Sequence, residues 1–214
     1  MVLPSDRWSA RFNATGLVFY ACGLPFLLYF AASTGSTIKL ALAILFAMTS
    51  MYFWIVQTFY HVLKREDSNL ETMRRVDHTT VFFMIDGVFT SVIAVFGEGV
   101  FYIVVIIILW AITIIGSTLM VWWKSGPRSL SSILSFGMGI LGIVAISSFI
   151  TRLPLASTIT FCIGVSLLFV GGGAYAIKKP NPIPGLFTFH EIYHGLSLPA
   201  IISLFFLVFF VLSH

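Results

Sequence analysis

Ala94-Val95-Phe96-Gly97-Glu98-Gly99-Val100-Phe101 interrupts a largely apolar stretch that runs from residue 77 to residue 123. A helix needs about 20 residues to cross roughly 30 Å of hydrocarbon, so the stretch is too long for one span. It is also too apolar to hold a folded loop, and Gly97-Glu98-Gly99 is the breaker inside it. Arg152-Leu153-Pro154 does the same for the 129–177 stretch. With both read as turns, the chain divides into seven spans, roughly 12–34, 38–62, 77–97, 99–123, 129–151, 154–177 and 189–213. The expected fold is all-α, a polytopic seven-transmembrane helix bundle forming a single membrane domain over residues 1–214. An N-terminal signal peptide is the competing reading of the first span, because Ala31-Ala32-Ser33 follows an apolar stretch with Arg7 and Arg11 upstream. That stretch exceeds a usual signal core, and it is read as a span.

Composition supports the bilayer. Hydrophobic residues make up 58% of the 214 positions, charged residues only 9%, and 22 residues are phenylalanine. Such a chain exposes too little polar surface for a soluble domain. The net charge of +4 does not imply nucleic acid, since the cations are scattered between apolar runs and form no basic face. Cys22 and Cys162 lie inside apolar runs and read as small packing residues.

The cations orient the bundle. If the spans alternate, Arg7, Arg11, Lys64, Arg65, Arg74, Arg75, Lys124, Arg128, Lys178 and Lys179 share one side, and Lys39 and Arg152 share the other. The positive-inside rule then puts the N-terminus in the cytoplasm and the C-terminus outside. Six or eight spans would scramble the asymmetry. Between spans, Lys64 to Val76 reads as a charged loop, and Lys178 to Gly185 as a proline-stiffened turn that cannot be helical. Gly137-Met138-Gly139-Ile140-Leu141-Gly142 and Gly171-Gly172-Gly173 sit inside apolar spans and read as close helix packing. Pro25 and Pro199 are expected to kink the first and seventh spans.

With this topology His61 ends the second span, Asp77 and His78 begin the third, and His190 and His194 begin the seventh, all near the cytoplasmic edge. His214 alone lies at the opposite end. In Phe187-Thr-Phe-His-Glu-Ile-Tyr-His194 the histidines are four apart, which puts both imidazoles on one helical face about 6 Å apart. A single interfacial histidine needs no ligand. Three from two helices at one depth, beside an aspartate, read as a site, because ionisable groups at membrane depth are costly. Three neutral nitrogens with a fourth position for water suit Zn2+, with His61, His190 and His194 as ligands. His190-Glu191-x-x-His194 is also the zinc-protease pattern, but no acidic residue follows Gly195 and every aspartate comes earlier. Glu191 is then either a general base or a carboxylate near a helix start.

Gln57-Thr-Phe-Tyr-His61, Arg75-Val-Asp77-His78, Gly172-Gly173-Ala-Tyr175-Ala-Ile-Lys178-Lys179-Pro180 and Phe187-Thr-Phe-His190-Glu-Ile-Tyr-His194 together resemble the hemolysin III family. These are bacterial relatives of the progestin and adipoQ receptors, which include the adiponectin receptors. The resemblance runs over essentially the whole chain. It implies seven helices and a zinc near the cytoplasmic face of the bacterial inner membrane, held by residues matching His61, His190 and His194. It also implies that Asp77 reaches the metal through its bound water, and the wider superfamily points to hydrolysis of lipid amides. The chain departs from that pattern at three places. Gln57 stands where serine is usual, and its larger amide can reach the bound water or an oxyanion while filling space a substrate carbonyl would use. Asn13 stands where the bacterial family has a histidine. Ile85-Asp86-Gly87-Val88-Phe89-Thr90 replaces a segment with alanine and a threonine-proline ending.

Asp86 lies nine residues after Asp77, about 13 Å deeper and on the opposite helical face, which separates it from the metal. It reads either as a protonated carboxyl bonded to a neighbouring helix or as part of a polar cavity or proton path. Two main function classes follow. One is a zinc-dependent hydrolase of lipid amides or esters, with Asp77 and Gln57 in catalytic roles and a lipid or fatty-acyl ligand in the bundle. The other is a receptor-like or membrane-perturbing protein, a hemolysin or cytolysin, with a structural zinc. An intramembrane zinc protease is a third reading. Membrane lipids are the partners common to all three.

Overall fold

The computed structural model describes residues 4–63, 71–123 and 129–213, with side chains from residue 7 onward. Among these residues seven helices are long and apolar enough to cross a membrane, and none of them belongs to a named strand. They are α1 (Pro4–Ser33), α2 (Thr37–Leu63), α3 (Glu71–Phe96), α4 (Val100–Trp122), α5 (Leu130–Ser147), α6 (Leu155–Ile177) and α7 (Phe189–Leu212). Four of the cations that orient the bundle, Lys64, Arg65, Lys124 and Arg128, lie outside the described residues, as does His214.

The breakers act where glycine and proline place them. Gly99 has φ 96, a backbone conformation that L side chains rarely adopt, and it starts α4. A Cβ on Gly97 would stand 2.6 Å from the Ile93 carbonyl oxygen. Between α5 and α6 the chain turns through a 3-10 turn (Ile150–Arg152) before Pro154, and α6 ends at Lys178 in the left-handed region. The following segment is non-helical apart from a single antiparallel bridge between Ile183 and Phe187. Both internal prolines are carried inside continuous helices.

Three boundaries differ from the expected ones. Residues 71–76 are not loop but the first turns of α3, where Glu71 accepts from Arg74 Nη2 at 2.6 Å and from Arg75 Nη2 at 3.1 Å. Counting apolar residues misses a turn held by i, i+3 and i, i+4 ion pairs above the apolar layer. Likewise α1 begins before residue 12, in a charged segment. At the other end α5 stops at Ser147, because the 3-10 turn takes over residues assigned above to the span.

α3 is the hub, packed against α2, α4, α5 and α7, while α1 closes the ring between α2 and α7. Successive helices alternate in direction. Arg75 Nη1 at the start of α3 donates to the Trp123 carbonyl at the end of α4 at 3.0 Å, and at the opposite end Arg152 pairs with Glu98 at 2.9 Å. The interior is aromatic and aliphatic: Tyr20, Phe46, Phe82, Leu109, Met138 and Leu207 are fully enclosed. The exterior is apolar too, with Val100 74% and Trp122 80% exposed, a surface suited to lipid and not to water.

Lipid is as apolar as the core, so burial does not drive helix pairing and close approach must. Gly16 lies against the Trp54 ring, Gly87 against Thr49, Gly142 against the Phe89 ring and Gly164 against Leu204. Of the glycines expected to pack, Gly137, Gly139, Gly172 and Gly173 face open space. Cys22 and Cys162 are exposed and free, contrary to the packing role expected for them. Both corrections have one cause: an apolar run in a membrane helix does not distinguish its inner face from its lipid face.

Candidate metal centre

The end of α2 and the start of α7 meet at one end of the bundle and bring His61, His190 and His194 together. Their candidate ligand atoms all lie within 4.8 Å of one another. The His194 ring centroid is 4.7 Å from that of His61 and 4.7 Å from that of His190. His61 and His194 are buried, and His190 is partly open. A tetrahedral zinc with bonds of about 2.0–2.1 Å separates its nitrogens by about 3.3–3.4 Å, so small ring rotations bring these three into range. Tyr60, Tyr175 and Tyr193 surround the histidine rings.

α7 starts where it does because Thr188 and Glu191 form a capping box. Glu191 Oε2 accepts from the Thr188 backbone N–H at 2.8 Å and from its hydroxyl at 2.6 Å, satisfying a donor the helix start would leave unpaired. The second oxygen of the same buried carboxylate, Oε1, accepts from His190 Nδ1 at 3.1 Å. That bond fixes the proton on Nδ1 and leaves Nε2 as the atom free to ligate. Ser9 Oγ on α1 lies 3.4 Å from the same Nδ1. Of the two readings of Glu191, the helix-start carboxylate is the one whose geometry is present. Thr188-x-x-Glu191 carried that signal in sequence; the bond to His190 and the approach of Ser9 did not show there.

Asp77 is buried at the same end, on α3. Its Oδ2 accepts from His78 Nδ1 at 3.1 Å, while Oδ1 is buried without a hydrogen-bond partner. Asp77 is also close enough to Tyr193, the residue before His194, for the two to interact electrostatically. Gln57 is buried one helical turn before His61 on the same face of α2. Asn13 on α1 is buried, and its Nδ2 has no partner. Asp86 is fully buried farther along α3 and is not among the three residues that cluster. The donor set therefore fits zinc: three imidazoles converge, one held in its ligating tautomer, with an unsatisfied carboxylate oxygen at the same end of the bundle.

A family model described as haemolysin-III related matches residues 13–205, a range that includes all three histidines, Asp77 and Gln57. The chain belongs to the haemolysin-III related family. A relative within reach of this haemolysin-III related chain is a protein of Bacillus subtilis (strain 168) named Hemolysin-3 homolog. It is 24% identical over 199 residues, which cover 92% of this chain and 90% of the relative.

Proposed function

We propose that this haemolysin-III related membrane protein holds one zinc ion on His61, His190 and His194 and hydrolyses lipid amides or esters there. The convergence of the three imidazoles carries the reading. When bound, zinc supplies a Lewis acid and lowers the pKa of a coordinated water toward neutrality. The protein's own groups do the rest. Glu191 keeps His190 in its ligating tautomer. The free Asp77 Oδ1 is the acceptor for a water proton, with Oδ2 anchored by His78. Gln57 offers amide N–H donors to an oxyanion. The substrate is lipid because the exposed helix faces on every side are apolar. On this reading the plasma membrane holds the bundle with its histidine end in the cytoplasm, a placement that the ten-to-two bias of basic residues supports.

The test is to measure metal and lipid cleavage on the same preparations. Purified protein should carry about one zinc per chain, lost largely in His190→Ala and His194→Ala, because a three-ligand site does not survive loss of a ligand. Against a panel of ceramides and other lipid amides and esters, wild type should release fatty acid. Asp77→Asn should lower that rate about 10²- to 10⁴-fold at nearly unchanged zinc, and Gln57→Ser should raise it by removing bulk beside the site. Bound zinc with no cleavage of any lipid would turn the centre into a tie between α2 and α7 and favour a receptor-like role.

A further inference from the structure

Asp86 sits near the middle of α3 and is 0% exposed. Neither carboxyl oxygen has a hydrogen-bond partner. Thr113 on α4 is within reach of that carboxyl, and Thr113 Oγ1 is likewise buried without a partner. The seam between the two helices explains why they face each other. Trp110 Nε1 donates to Thr90 Oγ1 at 3.1 Å, and Gly116 packs on the Phe82 ring. Asp86 lies midway between Phe82 and Thr90 at helical spacing, as Thr113 lies between Trp110 and Gly116, so the antiparallel register brings carboxyl and hydroxyl together. Ser117 Oγ, one turn from Thr113 toward the histidine end, is buried and unpartnered as well.

Among the described residues no cation balances the carboxyl. α5 carries no titratable residue, and α4 carries only Tyr102, near its start and bonded to Ser148. On α7, His190, Glu191, Tyr193 and His194 all fall in the first two turns. On α2, Lys39 and His61 lie at opposite ends, Tyr60 adjoins His61, and Tyr52 packs edge-to-face against Phe83. A bare carboxylate in this position would have no counter-charge and no donor but the Thr113 hydroxyl, a state costly enough that such groups neutralise instead. A single proton resolves this: it turns one carboxyl oxygen into a donor, and Thr113 Oγ1 has the lone pair to accept.

We propose that Asp86 and Thr113 form an exchangeable proton site inside the bundle, a carboxylic acid on α3 donating to a hydroxyl on α4. A proton from water converts the carboxylate to the acid, and its release restores the carboxylate, with no other reactant. The site is separate from the histidine centre and stands whether or not that centre is catalytic.

Infrared spectroscopy of the full-length protein in lipid at neutral pH tests it directly. The C=O stretch of a protonated carboxyl should be present in wild type and lost in Asp86→Asn, which should keep its zinc and its elution volume. Transfer to D2O should shift the band, showing exchange with bulk solvent. Thr113→Val should move it to higher frequency, since the acid loses its acceptor, and this variant keeps the test valid if Asp86→Asn does not fold. A wild type without the band, a band that D2O does not shift, or one that Thr113→Val leaves in place would each overturn the proposal. So would loss of the band on adding sodium but not choline, because the occupant would then be a metal cation.

Discussion

At the residue scale, one carboxylate links the start of α7 to the histidine cluster. Glu191 caps α7 with Oε2 and holds His190 with Oε1. The glutamate of the His190-Glu191-x-x-His194 pattern thus carries two hydrogen-bonding tasks at the start of α7. Glu191→Gln keeps an oxygen to accept one of these bonds but removes the charge that favours the Nδ1 proton. Partners of ligating histidines typically matter about 10- to 100-fold in metal affinity, and we expect zinc affinity to weaken by that much. Competition with a chelator of known affinity measures it. Wild-type affinity in the variant would show that the His190–Glu191 contact does not orient a ligand.

At the scale of elements, glycines set which helices approach. A Cβ on Gly16 would come within 2.2 Å of the buried Trp54 ring, which has little room to shift. Gly16→Ala should therefore destabilise by about 1–3 kcal/mol through overpacking of α1 on α2. Gly137 meets nothing within 4 Å, so Gly137→Ala should be neutral or stabilise by up to about 1 kcal/mol through helix propensity. Thermal unfolding in one detergent ranks the two, and equal melting temperatures would contradict the packing described. The sequence marked Gly137 as a candidate for close contact and did not single out Gly16, because hydropathy could not tell a helix face turned to a neighbour from one turned to lipid.

For the whole molecule, orientation is the open axis. With Cys22→Ala and Cys162→Ala as background, since both native thiols are exposed, single cysteines are placed at Ser36, in the 64–70 segment and at Lys179. In intact cells a membrane-impermeant maleimide should label the Ser36 position and leave the other two shielded. The reverse pattern would invert the bundle and move the histidine centre to the outer face.

What the sequence determined by itself is whatever local composition controls. Apolar runs of the right length give seven spans because hydrocarbon thickness is fixed, and Gly97-Glu98-Gly99 and Arg152-Leu153-Pro154 divide them because those residues cannot continue a helix under lipid. His61, His190 and His194 were legible as a cluster, since alternating spans put the end of the second and the start of the seventh at one depth. Tertiary structure alone decided what faces what. It turned Cys22 and Cys162 outward, assigned Glu191 to Thr188 and His190, and set Asp86 against Thr113. The physical reason is that in a membrane both the core and the surroundings are apolar, so hydropathy carries depth but not direction. The rotation of each helix is set by side-chain shape across the seams, and that exists only once the helices have packed.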